Sequence, residues 1–432
     1  MRSIPILAAL LLLASAALAG GTVFETTFYS EALGQEKCVQ VYLPEGYSQD
    51  VGRRYPVIYF LHGALEGYNG YSYIHGILDE MIAEGQIRPV IMIKPDGFTS
   101  PYPAGFYTSS ALYGDMQGYI SEDLVQWTDS NFRTLAVRPK RAIMGHSMGG
   151  YAALVYCGMY PEIYQAGASN CGAMVDLEVG MVYNVAGVLA ELEGPPYVYD
   201  PTAGFSNGVL FSMAGAFSPN LTNPPYYVDL PLDEWGEIIP EVMDIWMEYD
   251  VAALLQGITT GRQPDLYMDI GTEDEFHGYP GHEALVVKLD EMGIEYAYQV
   301  FEGGHFEMLP ERFPIAIGFL CDAMHWSGLP NTGGEPSQAR QCLSGSGILA
   351  HSAAPTPFQR QATISFGLAD AAHVELSVYD MSGRLVAGLI DGELGAGSHS
   401  ASLEGRSMPA GVYTYVLTAG SDQATGRCLL IR

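Results

Sequence analysis

Ser147 sits between two glycines in Gly145-His146-Ser147-Met148-Gly149. A serine hydroxyl becomes a nucleophile when a base takes its proton and a third group orients that base. Of the ten histidines, His305 is best placed to be the base. It stands in Gly303-Gly304-His305-Phe306, where the glycines let an imidazole swing over the serine. Asp274, in Gly271-Thr272-Glu273-Asp274, precedes it by 31 residues, room for one helix and one strand. The order serine, acid, histidine is one in which such groups assemble above a sheet. Other candidates fit less well. Asp269 lies inside a strand, Glu273 and Glu275 flank the turn, and His277 and His282 start a helix. His146 abuts the serine and its side chain should point away from it, so it is read either as packing or as a support to the groups that do the chemistry. An acyl-transfer site also needs donors for the developing oxyanion. The Met148 N–H, at a helix start, is one, and the second comes from Ala64 or Leu65.

These groups need a rigid frame. Arg141-Ala-Ile-Met before Gly145 reads as a strand, and the small apolar run after Ser147 reads as a helix. The serine therefore lies on a tight strand-to-helix turn, a nucleophile elbow in which Gly145 and Gly149 leave room that a β-carbon would fill. Tyr55–Leu61 and Val90–Lys94 are continuous apolar runs of the kind found in strands buried on both faces, and Asp265–Ile270 and Ile294–Phe301 follow later. Helical stretches near Tyr73–Glu84, Ser121–Phe132, Gly281–Met292 and Pro310–His325 alternate with them. The pattern predicts a doubly wound, mostly parallel α/β sheet over residues 20–328. A β-rich pair, Val23–Tyr29 and Cys38–Leu43, leads into it. Residues 97–117 read as a long loop near the site.

Residues 175–261 break the alternation and read as an insertion, with helices near Leu177–Leu192 and Trp235–Leu255. Its aromatic residues either line an acyl pocket or pack the insertion onto the sheet. Residues 329–354, rich in Gly, Pro, Ser and Gln, read as a linker. Residues 355–432 carry short alternating strands at Ala362–Phe366, Val374–Tyr379, Ser398–Leu403 and Val412–Leu417, the pattern of a small all-β sandwich.

The chain has 432 residues, 19 basic and 49 acidic, for a net charge of −30. Such a field disfavours nucleic acid, anionic membrane surfaces and polyanionic substrates. Residues 1–19 combine a basic start, an apolar run and Ala17-Leu18-Ala19, the parts of a secretory signal peptide cleaved after Ala19. No other run is long enough to span a bilayer, so no membrane insertion is expected. The six cysteines are an even number for an exported chain. Cys321 and Cys342 are one possible pair, while Cys157 reads as a buried hydrophobe. None has zinc-type spacing, and no metal or cofactor is expected.

Taken together, Tyr55–Gly63, Gly145–Gly150, Gly271–Asp274 and Gly303–Phe306 resemble the esterase D type of α/β-hydrolase over about residues 22–327. That family includes feruloyl esterases, S-formylglutathione hydrolases, enterochelin esterases and mycolyltransferases. The resemblance implies Ser147, Asp274 and His305 as a triad, and His62-Gly63 resembles the His-Gly turn many α/β-hydrolases carry. The stretch from Pro355, with Val378–Arg384 and Met408–Tyr413, is similar to FlgD-type immunoglobulin-like modules and to type IX secretion-sorting domains. It implies export or surface retention through secretion machinery. The expectation is a secreted or cell-surface serine esterase acting on feruloyl- or acetyl-type esters of polysaccharide, or on small acyl esters. The alternatives are an acyltransferase of the mycolyltransferase type and a non-catalytic surface or carbohydrate-binding protein that keeps the fold.

Overall fold

The computed structural model describes residues 20–64, 66–181, 197–200, 202, 205–258, 261–326, 348–354, 358, 360–368, 371–380, 384–395, 397–405, 408, 409, 411–420 and 422–430. The expected signal peptide, Leu65, Cys342 and part of the insertion lie outside them. The chain forms two compact units, residues 1–332 and 333–432.

The first unit is built on eight strands: β1 (Thr22–Ser30), β2 (Gln35–Leu43), β3 (Val57–Leu61), β4 (Ile91–Pro95), β5 (Arg141–His146), β6 (Ala166–Asn170), β7 (Asp265–Gly271) and β8 (Ala297–Phe301). They form one sheet in the order β1-β2-β4-β3-β5-β6-β7-β8. The pairs from β4 through β8 are parallel, and β1 and β2 are antiparallel.

The apolar runs are explained by two-sided burial. In β3, Val57, Tyr59 and Leu61 join one core cluster while Ile58 and Phe60 join the other. A strand residue alternates faces, so a strand covered on both needs every position apolar. Each fully buried side chain of this size contributes about 1.5–3 kcal/mol. On the Ile58 face pack α1 (Ile74–Ala83) and the last helix of the unit, Leu309–Ala323. On the other pack Leu124–Asn131, the elbow helix Met148–Met159, Val251–Gln256 and Gly278–Met292.

Within the insertion, residues 177–181 are helical as expected, and the rest of the stretch expected as a helix to Leu192 lies outside the described residues. A helix at Phe205–Phe217 is apolar all round and was not anticipated, and the Trp235–Leu255 stretch is two short helices, Pro240–Met247 and Val251–Gln256. Asp250 interrupts it by capping the N–H groups of Ala252 and Ala253. Trp246 is fully buried with its indole N–H on Ser218 Oγ at 2.8 Å, whereas Trp235 is 74% exposed.

The second unit is all antiparallel β. One sheet has β9 (Ile348–Ala354), β10 (Gln361–Leu368) and β13 (Gly397–Glu404), and the other has β11 (Ala372–Asp380), β12 (Leu385–Leu394), β14 (Gly411–Ala419) and β15 (Asp422–Leu430). Side chains from both sheets share one core, including Ile364 and Phe366 of β10 and Leu376, Val378 and Leu417 of the other sheet. Strand β9 lies inside the stretch expected to be linker, because its pairing with β10 supplies order that its own Ala- and Ser-rich sequence does not. Among the described residues no disulfide joins Cys38, Cys157, Cys171, Cys321 or Cys428.

Candidate active site

Strand register brings the candidate residues to one edge of the sheet. Leu61 of β3 pairs with Gly145 of β5, so the loop after β3 and the elbow emerge side by side. The chain leaves β3 for β4 on one side and returns to β5 on the other, and the crevice at such a switch is where open α/β sheets bind ligands. Gly271 of β7 pairs with Phe301 of β8, so Asp274 and His305 follow adjacent strand ends.

Ser147 has φ 57° and ψ −120°, a conformation a non-glycine residue adopts only under strong local constraint. The flanking glycines supply that constraint. A Cβ on Gly149 would lie 2.0 Å from the Leu61 carbonyl oxygen, and one on Gly145 would lie 2.4 Å from the Gly149 backbone. The Ser147 N–H donates to Asn170 O at 3.0 Å, tying the elbow to β6. Helix bonding starts with Tyr151 N–H to Ser147 O, so the Met148 N–H is a first-turn donor with no intrahelical partner, and none among the described residues.

His305 is held at three points. Its Nδ1 lies 2.5 Å from Asp274 Oδ2, both side chains almost fully buried. Its backbone N–H donates to Glu275 Oε2 at 2.7 Å, and its carbonyl accepts from His146 Nε2 at 3.0 Å. Nε2 of His305 has no partner among the described residues. Burial alone would raise the Asp274 pKa. The His305 bond and charge, with the Gly278 N–H, outweigh it and hold the carboxyl below its usual value. Oδ1 also accepts from Phe276 and Gly278 N–H at 3.0 and 3.1 Å.

The loop after β3 is oriented by His62. Its Nε2 accepts from Gly97 N–H at 2.8 Å, so Nδ1 carries the proton and donates to Gly63 O at 2.8 Å. In a trans peptide the N–H points opposite to the C=O, so pinning Gly63 O fixes the direction of the Ala64 N–H. A Cβ on Gly63 would be 3.3 Å from Ser147 Cβ, which places this peptide beside the elbow.

A narrow recess at Ser147 is lined by Gly63, Ala64, Tyr71, His146, Phe276 and Phe306. The Phe276 and Phe306 rings stand edge-on to His305 at 4.7 and 4.8 Å. The aromatic lining therefore comes from Tyr71 and from residues beside Asp274 and His305, not from the described part of the insertion. Sequence reasoning missed Tyr71, Glu275, Phe276 and Phe306 in these roles; the position of Phe306 directly after His305 was the available signal. Of the two readings of His146, the supporting one fits, since both its ring nitrogens are hydrogen-bonded, one of them to the His305 carbonyl. Asp269 is committed elsewhere, accepting from Asn170, Tyr267 and Arg312. His282 is buried with its Nδ1 on Gly278 O.

His146, Cys171 and His305 bring ligand atoms within 4.8 Å of one another. Hydrogen bonds already occupy both His146 nitrogens and Nδ1 of His305, leaving one imidazole nitrogen and one thiol. That is too few donors for a tetrahedral zinc site.

Four buried histidines make the fold acid-sensitive. Burial lowers the pKa of His62, His75 and His282 to about 4 and of His146 to about 3. With the unfolded value near 6.5, the unfolded chain binds more protons below that pH, so stability falls as pH drops from about 6.5 towards 4. Each histidine contributes about 1.4 kcal/mol per pH unit in that window. Glu283, raised to about 6 by burial, acts in the opposite direction, as do Asp250 and Asp269, whose pKa values burial also raises, but the four histidines outnumber them. Calorimetry should show Tm falling steeply from pH 6.5 to 5; a Tm constant over that range would contradict neutral burial of these rings.

Two sequence families match this chain. A family model described as "Putative esterase" matches residues 30–308, and one described as "Secretion system C-terminal sorting domain" matches residues 352–431. An endo-1,4-beta-xylanase/feruloyl esterase of Xylanibacter ruminicola is 32% identical over 151 residues, covering 33% of this chain and 20% of that protein. An esterase of Mycobacterium tuberculosis is 32% identical over 177 residues, covering 39% and 37%. The matches thus span well under half the length of these relatives. Among solved structures, a ferulic acid esterase superposes with a TM-score of 0.51 at 17% identity, over 71% of this chain and 99% of that one, a likeness of fold. Among the described residues no helix is long and apolar enough to cross a membrane. With its strained serine turn, its parallel sheet and a family match across residues 30–308, the chain belongs to this esterase family.

Proposed function

We propose that the chain is a secreted serine carboxylic-ester hydrolase that works through Ser147, His305 and Asp274. The observation that carries this reading is the buried 2.5 Å His305–Asp274 bond beside a serine on a strained elbow. With Asp274 accepting from Nδ1–H, the neutral imidazole presents Nε2 as its basic nitrogen. Ser147 Oγ attacks the ester carbonyl carbon and its proton passes to His305 Nε2. The carbonyl oxygen becomes an oxyanion facing the Met148 and Ala64 N–H groups. Each such donor is worth about 2.7–4 kcal/mol in the transition state. The tetrahedral intermediate collapses as Nε2–H protonates the departing alkoxide, leaving the acyl group on Ser147. Water then attacks the acyl carbon, again giving its proton to Nε2, and the acid is released as Oγ regains a proton.

For the acyl group, the Phe276 and Phe306 rings in the recess offer flat apolar faces suited to an aromatic acid. The feruloyl esterase named among the relatives supports the same choice. The polysaccharide-linked ester as natural substrate, export through the C-terminal domain, and the signal peptide belong to the same proposal. So does the division into a catalytic domain over 20–328 and a sorting domain over 355–432.

Hydrolysis of methyl ferulate should be measured beside p-nitrophenyl acetate and butyrate. The expected result is turnover of all three, with kcat/KM for methyl ferulate falling about tenfold or more in Phe306→Ala through lost aryl contact. Turnover of the short esters with none of methyl ferulate would overturn the aryl assignment and leave a general esterase.

A further inference from the structure

Three loops meet at Ser147, and two buried side chains outside the proposed triad tie them together. Tyr71, on the turn before α1, places its hydroxyl 2.8 Å from His146 Nδ1, and the opposite ring nitrogen, Nε2, lies 3.0 Å from the His305 carbonyl oxygen. A carbonyl only accepts, so Nε2 carries the proton and Nδ1 accepts from the tyrosine. The direction is fixed along the whole chain: Tyr71 O–H to His146 Nδ1, then His146 Nε2–H to His305 C=O. Burial keeps both groups uncharged, with the His146 pKa near 3 and that of Tyr71 raised. At the other end the Gly63 backbone lies against the same hydroxyl: a Cβ there would be 3.0 Å from Tyr71 Oη and 3.4 Å from His146 Nδ1. Tyr71 holds a left-handed backbone at φ 51°, which a bulky residue adopts only where its surroundings compel it.

We infer that Tyr71 and His146 form a positioning bridge that sets the His305 loop in register with the Gly63–Ala64 loop, so that base and oxyanion donors are aligned as one unit. The inference rests on the triad reading above. Its physical basis is the anchoring of His305. Asp274 fixes the ring and Glu275 fixes the backbone N–H, while the bridge fixes the carbonyl, and with it the rotation of that peptide towards the elbow. Neither residue donates or accepts a proton in the reaction. Because Tyr71 also lines the recess, direct substrate contact is the competing role, and it would appear in KM.

Tyr71→Phe keeps the ring and its edge contacts with Phe60 and Phe313 while removing the hydroxyl. On p-nitrophenyl acetate the expected result is a kcat about 10- to 100-fold lower, with KM within about threefold of wild type and a fold that is retained at a modestly lower Tm, since His146 Nδ1 loses its donor. Affinity for a trifluoromethyl ketone, which forms a tetrahedral adduct with the serine, should fall by the same factor as kcat/KM. His146→Leu should lose a similar factor, and the double variant no more than either single one, because both cut the same chain. His146→Gln, whose amide can accept from Tyr71 and donate to the His305 carbonyl, should recover part of the rate. Wild-type kcat in Tyr71→Phe, a loss confined to KM, or losses that multiply in the double variant would each overturn the bridge. If His146→Leu does not fold, the kcat–KM split of Tyr71→Phe decides alone. A Ser147→Ala control separates the two levels. Turnover that survives in it at the wild-type level overturns the triad and the bridge together, whereas Ser147-dependent turnover unaffected by Tyr71→Phe overturns the bridge only.

Discussion

Alanine in place of Ser147 is expected to lower kcat/KM on p-nitrophenyl acetate by about 10⁴-fold or more while leaving the fold intact. The size follows from what remains. Without Oγ there is no acyl-enzyme route, and His305 Nε2, which has no hydrogen-bond partner among the described residues, has no nucleophile to deprotonate. The oxyanion donors persist, so a residual rate above that of free solution should survive. The fold should survive because the forces that make the elbow do not use the hydroxyl. Ser147 holds φ 57° through its N–H on Asn170 and its carbonyl, which accepts from Tyr151 and Ala173. Alanine keeps those backbone bonds and the same Cβ. The check is a paired measurement: steady-state hydrolysis together with Tm and covalent labelling by a fluorophosphonate. Loss of rate and labelling at unchanged Tm is the expected outcome. Retention of either at the wild-type level would remove Ser147 from the chemistry.

How much of this was legible in the sequence depended on how completely an element is buried and how local its contacts are. Strands β3, β4 and β5 are buried along nearly their whole length, and their unbroken apolar runs announce them. The elbow was equally plain, because its glycines are forced by backbone approaches within a few residues of Ser147 and across one strand pair. By contrast, β9, β12 and β15 were not recognised, and all three are sheet edges. An edge strand has one neighbour and a weaker packing demand, and β12 buries none of its residues fully, so the alternation that marks a half-buried strand is diluted. The helix at Phe205–Phe217 failed for the opposite reason: Val209, Leu210, Phe211, Met213 and Phe217 are all buried, so no polar stripe exposes a 3.6-residue period. At the site, Asp274 and His305 could be placed because each closely follows a strand end. The contribution of Tyr71 could not, since it arises from a hydrogen bond to a residue 75 positions away.

Asp274→Asn is expected to reduce kcat about 10³- to 10⁴-fold with only a small change in KM, although asparagine has nearly the same shape. The argument turns on which way one proton points. In the wild type Oδ1 accepts from the Phe276 and Gly278 N–H groups, and Oδ2 faces His305 Nδ1. Those two backbone donors require an acceptor, so an asparagine keeps its carbonyl oxygen at the Oδ1 position and turns its NH₂ towards the imidazole. Two donors cannot face each other at this distance, and His305 must then lose its Nδ1 proton and carry it on Nε2 instead. An Nε2–H cannot take a proton from Ser147, so the residue stays in place but no longer acts as a base. The loop itself should persist, because Glu275 still holds the His305 N–H and His146 still holds its carbonyl. Acid stability supplies a second readout. The lowered Asp274 pKa stabilises the fold above the ordinary carboxyl value and is lost as pH falls below it. The asparagine variant should therefore lose that part of the pH dependence below about pH 4 while keeping the histidine-driven fall from pH 6.5. NMR of the imidazole nitrogens distinguishes the tautomers directly: Nδ1–H in the wild type and Nε2–H in the variant are expected. A variant that keeps the Nδ1–H tautomer, or turns over at more than about a tenth of the wild-type kcat, would show that Asp274 is not the group orienting the base.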